Sequence, residues 1–235
     1  KGLVGYWTFD GKDTPWTSST AATTLDKSGN GNTGTLTNMS RATSPVPGKI
    51  GQGLKFDGVD DYVSVSNPSV LQNQDFTVSF WVKPGIQSSA IKSPMDFSHS
   101  WRISPVAYGS WTIQSEDATT NRNYYLAFNQ GNGTSSVYQN NGVGAGIQYT
   151  TGVWQHIFYT KSGTTQRGYK NGLLVWSPSE TTSSSVYYES GLNLRFGGTI
   201  GYEAVREFNG SIDNVRIYNR ALSYQEIQAL YLMGR

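Results

Sequence analysis

The sequence predicts an all-β sandwich closed by a short C-terminal helix, and three observations predict it. Period-two alternation of apolar and polar residues recurs from one end of the chain to the other, as in strands with one face in a core. Charged residues make up only 14% of the 235 positions, while Gly (27), Tyr (15) and Trp (7) are abundant, the composition of short strands and many turns. Helical spacing is almost absent until the last dozen residues.

The two chain ends, Gly5-Tyr-Trp-Thr-Phe-Asp10 and Gly210-Ser-Ile-Asp-Asn-Val-Arg-Ile-Tyr218, read as strands of one continuous sandwich. The clearest strand is Phe76-Thr-Val-Ser-Phe-Trp-Val-Lys83, where Phe76, Val78, Phe80 and Val82 point one way. Trp81 on its other face means that this face is not simply wet. Further strands are predicted at Tyr62–Ser66, Trp111–Gln114, Tyr124–Asn129, Trp154–Thr160, Leu173–Trp176, Leu192–Phe196 and Ile212–Tyr218, each bounded by Gly, Asn, Pro or Ser. Lys170-Asn-Gly172 predicts a tight hairpin, because Asn-Gly supplies two positive φ angles. The polar stretch Thr14–Thr24 reads as a surface excursion. Ser223-Tyr-Gln-Glu226 has capping-box spacing and is followed by Ile227, Leu230 and Tyr231, which predicts the terminal helix. Nothing marks a domain boundary, so residues 1–235 read as one domain.

Eighteen basic and sixteen acidic residues are scattered without a basic run, which leaves no electrostatic footprint for nucleic acid. No apolar run approaches the roughly 20 residues of a membrane span. The opening Lys1-Gly2-Leu3 shows no signal-peptide pattern, and the chain reads as excised from something longer. Without cysteine there is no disulfide framework, thiolate metal site or thiol nucleophile.

Catalytic constellations are scarce. The two histidines are His99 and His156, the latter inside a predicted strand and read as structural, which leaves little for a histidine-based triad or a zinc site. No Glu-x-Asp-x-x-Glu cluster places paired carboxyls on one strand face, as a glycosidase on such a platform would need. Asp57, Asp60, Asp61, Glu116 and Asp117 read as turn and surface carboxylates. Gly29-Asn-Gly-Asn-Thr-Gly34 matches a dinucleotide-binding string but lacks the flanking strand and helix. In Asp26-Lys-Ser-Gly-Asn-Gly-Asn32, oxygen-bearing side chains alternate as a hard cation requires, yet Thr37 stands where an EF-hand places its glutamate. This stretch is either an ion loop or a plain Asn-Gly turn.

Between Gln87 and Thr150 lie Trp101, Tyr108, Trp111, Tyr124 and Tyr125, interleaved with Arg102 and several amides. Flat rings can stack on the C–H face of a sugar while guanidinium and amide groups bond its hydroxyls. The competing reading is that alternate rings fill the core.

In order along the chain, Gly2-Leu-Val-Gly-Tyr-Trp-Thr-Phe-Asp10, Asp26-Lys-Ser-Gly-Asn-Gly-Asn-Thr-Gly34, Gly48-Lys-Ile-Gly-Gln-Gly-Leu-Lys-Phe-Asp-Gly58 and Phe76-Thr-Val-Ser-Phe-Trp-Val-Lys-Pro84 carry a family resemblance. Asp61-Tyr-Val63, Trp154-Gln-His156 and Gly210-Ser-Ile-Asp-Asn-Val-Arg-Ile-Tyr-Asn-Arg-Ala-Leu-Ser223 complete the series. The chain resembles a laminin-G-like domain of the concanavalin A-like lectin and glucanase fold. The resemblance implies a two-sheet antiparallel jelly roll whose first and last strands lie together. It also implies a structural calcium held by Asp10 and Asp213, with Asn30 or Asn32 and Asp26 as further ligands. No family ligand residue transfers to the middle stretch, which is where a recognition site is expected, at Trp101, Arg102, Tyr108, Trp111, Tyr124 and Tyr125. The function expected is a non-catalytic, calcium-stabilised, carbohydrate-binding module of an extracellular or cell-surface protein. The alternatives are a structural or adhesive protein-binding module, and a glycoside hydrolase or polysaccharide lyase.

Overall fold

The structure is a computed structural model; it describes residues 1–66, 68–86, 91–97, 110–118, 121–128, 146–177, 185–186, 188, 191–199 and 206–235, excepting the side chains of 116–118, 121, 122 and 125–128. The described strands of the first half are β1 (Leu3–Trp7), β2 (Ala22–Thr24), β3 (Gly34–Thr37), β4 (Pro45–Pro47), β5 (Gln52–Asp57), β6 (Tyr62–Val65), β7 (Phe76–Pro84) and β8 (Lys92–Phe97). The second half adds β9 (Trp111–Ala118), β10 (Asn121–Phe128), β11 (Ile147–Gln148), β12 (Gln155–Ser162), β13 (Thr165–Lys170), β14 (Leu173–Trp176), β15 (Leu194–Phe196) and β16 (Asn209–Tyr218), followed by helix α1 (Tyr224–Met233).

They form two antiparallel sheets. The first runs β14-β13-β12-β7-β16-β5-β4, with β1 also paired to β16; the second runs β11-β10-β9-β8-β15-β6-β3-β2. The sandwich and its terminal helix are as the sequence predicts. The core lies between the inner faces, where Trp7 and Phe9 of the first sheet's N-terminal segment meet Phe196 of β15 edge-on at 5.0 and 5.8 Å. Alternation explains which residues enter it: Phe76, Val78, Phe80 and Val82 of β7 are all buried in the core.

Trp81, on the opposite face of β7, is 2% exposed. It stacks on His156 of β12 at 4.5 Å and meets Tyr231 of α1 at 5.8 Å, so the helix covers the outer face of the first sheet. His156 is buried, with Nε2 2.8 Å from the Ser79 hydroxyl. Burial, with Arg216 adding, holds its pKa well below the usual value and keeps the ring neutral. It serves as a strand residue, as predicted.

The local signals held as well. Asn171 (φ 53°) and Gly172 (φ 78°) both take the left-handed conformation at the β13–β14 turn. Ser223 accepts from the Glu226 amide and the Glu226 side chain reaches back to the Ser223 amide, closing the capping box. The stretch Thr14–Thr24 is exposed at Pro15 and Thr17–Ala21, as a surface excursion should be, and differs from expectation only at its ends. Its last residues, Ala22–Thr24, form β2 at the edge of the second sheet, and Thr14 and Thr24 are buried and joined through their hydroxyls at 3.2 Å. A polar composition hid them because paired hydroxyls satisfy each other.

Candidate functional site

The long last strand, β16, has two partners along one edge. Residues 209–212 pair with β5, residues 215–218 pair with β1, and the register shifts between Asp213 and Arg216. Asp213 sits at this break, next to Asn214 with φ 49°. The bulge re-aims a side chain where the ladder stops. Asp213 Oδ2 accepts from the Lys49 and Ile50 amides at 2.8 and 2.9 Å, and Oδ1 accepts from Asn214 Nδ2 at 2.8 Å. Asp10 reaches the same turn: Phe9 stays in the core at φ 60°, the chain swings outward, and Asp10 Oδ1 accepts from the Gln52 amide at 2.8 Å. Gly51, at φ 65°, is required there, because a Cβ would overlap Asp10 Oδ1.

The structure therefore brings Asp10 and Asp213 onto one turn, residues 48–52. Burial pushes the Asp213 carboxyl up to about 6, and the charge of Asp10 adds to the effect, while the amides of Ile50 and Lys49 oppose it. Two carboxylates on one turn, one of them mostly withdrawn from water, are a donor set that a hard cation fits.

Asp26, Asn30 and Asn32 do not join them. Asp26 takes five donors, from the Tyr6, Ser28 and Asn32 amides, the Ser28 hydroxyl and Asn32 Nδ2, at 2.8–3.0 Å. Asn30 and Asn32 turn their amide groups to the Val4 carbonyl at 3.2 and 3.0 Å. Burial favours the neutral form of Asp26, but these hydrogen bonds outweigh it and hold the carboxyl below the usual range. The loop is closed upon β1 by its own donors, which saturate the Asp26 carboxylate. Of the implied five-residue metal set, Asp10 and Asp213 thus share one turn, whereas Asp26, Asn30 and Asn32 belong to a separate hydrogen-bonded loop.

Of the six expected ligand residues, Trp101, Arg102 and Tyr108 lie outside the described residues, as does the side chain of Tyr125. Trp111 and Tyr124 are corrected: each is 1% exposed and faces the core. Trp111 stacks on Phe76 at 5.6 Å and Tyr124 on Tyr149 at 4.5 Å. Strand parity is the reason, since Trp111 and Ile113 point inward and Thr112 and Gln114 outward.

The outer face of the second sheet carries the polar chemistry. Arg195 of β15 pairs across to Asp96 of β8, and Asp96 to Thr112 of β9, so three polar side chains share one row. Lys92 and Gln114 stand beside them, and Lys92, Asp96, Thr112 and Gln114 are all buried. The Ser93 amide donates to the Arg206 carbonyl at 3.0 Å and the Phe208 amide to the Gly197 carbonyl at 2.9 Å, which lays Glu207 over this row. Arg195 lies on the ring of Tyr62, 4.1 Å from its centroid, and donates from Nη1 to the Thr199 carbonyl at 2.8 Å. Arg195 Nε and Glu207 Oε2 are buried and have no hydrogen-bond partner among the described residues. Burial raises the Glu207 carboxyl, against the pull of Arg195 and Lys92, with Asp96 adding to the rise.

A half-buried guanidinium fixed on an aromatic ring, on the same face as a carboxylate, offers polar groups that hydroxyl-rich ligands satisfy. Sequence reasoning passed over these residues. The available signal was a charged residue flanked by apolar ones in a strand, as in Met95-Asp96-Phe97 and Leu194-Arg195-Phe196, which marks an outward position.

Residues 57–228 match the Laminin_G_3 family model, described as the concanavalin A-like lectin/glucanases superfamily. The chain belongs to this superfamily. The matched segment of this concanavalin A-like domain contains Asp96, Arg195, Glu207 and Asp213, whereas Asp10 and the Asp26 loop lie before it. Among solved structures, domain 4 of AbnA, a GH43 extracellular arabinanase from Geobacillus stearothermophilus in complex with arabinotriose, is similar at 20% identity and TM-score 0.63, covering 97% of this chain and 98% of that one. Trypanosoma rangeli sialidase in complex with sialic acid is similar at 14% identity and TM-score 0.66, with 98% of this chain and 33% of that chain covered. The binding domain of Paraclostridial Mosquitocidal Protein 1 is similar at 18% identity and TM-score 0.63, with 98% and 52% covered. This chain thus spans a third of the sialidase and half of the mosquitocidal binding domain. At these identities the likeness is one of fold. No curated protein matches the sequence.

Proposed function

We propose that this concanavalin A-like domain is a non-catalytic carbohydrate-recognition module of an extracellular or cell-surface protein, and that the outer face of the second sheet is its binding surface. The observation that carries the reading is Arg195, laid on Tyr62, whose Nε, like Glu207 Oε2 on the same face, has no hydrogen-bond partner among the described residues. Sugar hydroxyls donate and accept at once, so they suit both kinds of group. The nearly full-length likeness to an arabinanase domain in complex with arabinotriose supports a glycan as the ligand class.

Calcium enters the proposal as a structural ion at Asp10 and Asp213. It would neutralise two carboxylates on the turn where β5 gives way to β1, and so tie the chain ends together.

The test is calorimetric titration with arabinotriose and with neutral and acidic oligosaccharides. Saturable binding that Arg195→Ala weakens at least about tenfold, with the fold intact, supports the surface named. Binding unaltered by that change places the site elsewhere. A hydrolase reading has one specific observation behind it, the raised carboxyl of Glu207 beside Asp96. Polysaccharide turnover abolished by Glu207→Gln would establish it and overturn the non-catalytic reading.

A further inference from the structure

The first sheet carries a different kind of surface. Between the β13–β14 hairpin and the first turn of α1 lies an open groove of about 650 Å³, walled by Arg167, Leu173, Leu174, Leu222 and Tyr224 among others. Its size falls in the range of ligand clefts. The strand beside it, β14, ends the first sheet, and no strand among the described residues pairs with its outer edge. Sheet edges are commonly protected by charge, proline or a bulge that turns them away. Here Leu173, Leu174 and Val175 are 58%, 49% and 47% exposed, and the strand Leu-Leu-Val-Trp carries no charge or proline; the register of its pairing with the inner neighbour β13 shifts between Gly168 and Tyr169. Arg167, one strand in, is exposed and pairs with no carboxylate among the described residues.

We propose that β14 and this groove receive an extended segment of a partner protein, added as a further strand, with alternating apolar and acidic side chains. The open backbone edge supplies the ladder, Leu173, Leu174 and Tyr224 receive the apolar side chains, and Arg167 receives an acidic one. The walls argue against a sugar here. Three leucines offer no partner to hydroxyls, the Ser223 and Tyr224 hydroxyls already accept from the Glu226 amide and Gln228 Nε2, and Tyr169 is only 4% exposed and presents no platform. The inference is independent of the glycan surface, which lies on the other sheet.

The test uses a dye-labelled peptide of alternating Val and Glu, and its counterpart with Lys for Glu, followed by fluorescence polarisation at neutral pH. The acidic peptide should bind saturably, more weakly as salt rises, and the basic one should not. Arg167→Glu and Leu173→Glu should each weaken binding about tenfold or more, with an unchanged melting temperature and unchanged glycan titration. Three results would overturn the proposal: no saturable binding of the acidic peptide, equal binding by Arg167→Glu, or an acidic oligosaccharide bound by the parent protein and lost in Arg167→Glu. The last would make the groove a glycan site.

Discussion

The outer faces of the two sheets obey the same strand parity and are filled in opposite ways. On the first sheet, Trp81, His156, Phe158, Tyr169 and Tyr218 face outward and are covered by Leu222, which leads into α1, and by Ile227 and Tyr231 of α1. On the second, the outward residues are Lys92, Asp96, Thr112, Gln114 and Arg195. Covering a face with a helix turns it into core. Covering a face that carries charges leaves groups that must find partners, and burying ion pairs contributes little to stability. The dry face is therefore where stability should respond to mutation, and the polar face is where binding should.

The most damaging change should be Trp81→Ala, which opens a cavity under α1. A loss of about 3–5 kcal/mol is expected, lowering the melting temperature by roughly 10 °C, with glycan titration still measurable below the transition. A small shift would mean that the helix does not rely on this stack.

Asp213→Ala comes next, because it strands the Lys49 and Ile50 amides inside the protein. A cost of about 1–3 kcal/mol is expected in calorimetry with EDTA present. Without chelator the gap between variant and parent should widen, since the variant also loses the proposed ion. A parent melt unmoved by EDTA would remove calcium from the account.

The pH dependence isolates the same carboxylate. Asp213 and Asp61 have folded pKa values of about 6 against a reference of 3.8, both chiefly through burial. The folded protein then holds more protons than the unfolded chain between these values, so in chelator stability should fall as pH rises from about 4 to 6. Asp26 and Asp13 are lowered, and their contributions are lost only at more acid pH. Denaturant titrations across this range should show the slope, and Asp213→Asn should flatten it; an unchanged slope would assign it to other groups.

Glu207→Gln tests the polar face from the other side. It should alter glycan affinity severalfold while moving the melt by a degree or two. A large loss of stability would mark Glu207 as a structural counter-charge to Arg195 and Lys92 instead. Ser223→Ala should have the smallest effect, about 1 kcal/mol through the helix cap, and should leave the polar face untouched.

How much was legible beforehand follows from the range of each signal. Asn171-Gly172 and Ser223–Glu226 act within a few residues, so the hairpin and the capping box could be read directly. Trp111 and Tyr124 were harder. An aromatic residue in a strand suits either face, and only pairing with β8, β10 and β11 fixes which side is inward. The Asp26 loop shows the same limit, because only the structure shows that both Asp26 oxygens are taken by donors of Ser28, Asn32 and Tyr6.

Alternation and turn chemistry by themselves determined that this chain would form strands, where many of them lie, and that it would end in a helix, because those signals are local. The tertiary structure alone decided that α1 covers one outer face and not the other. It also decided that Asp10 and Asp213 share a turn, and that Asp96, Arg195 and Glu207 meet on one sheet. Each of those groups is assembled from distant segments by strand pairing, and the register of a distant pair is set by which whole faces are buried together.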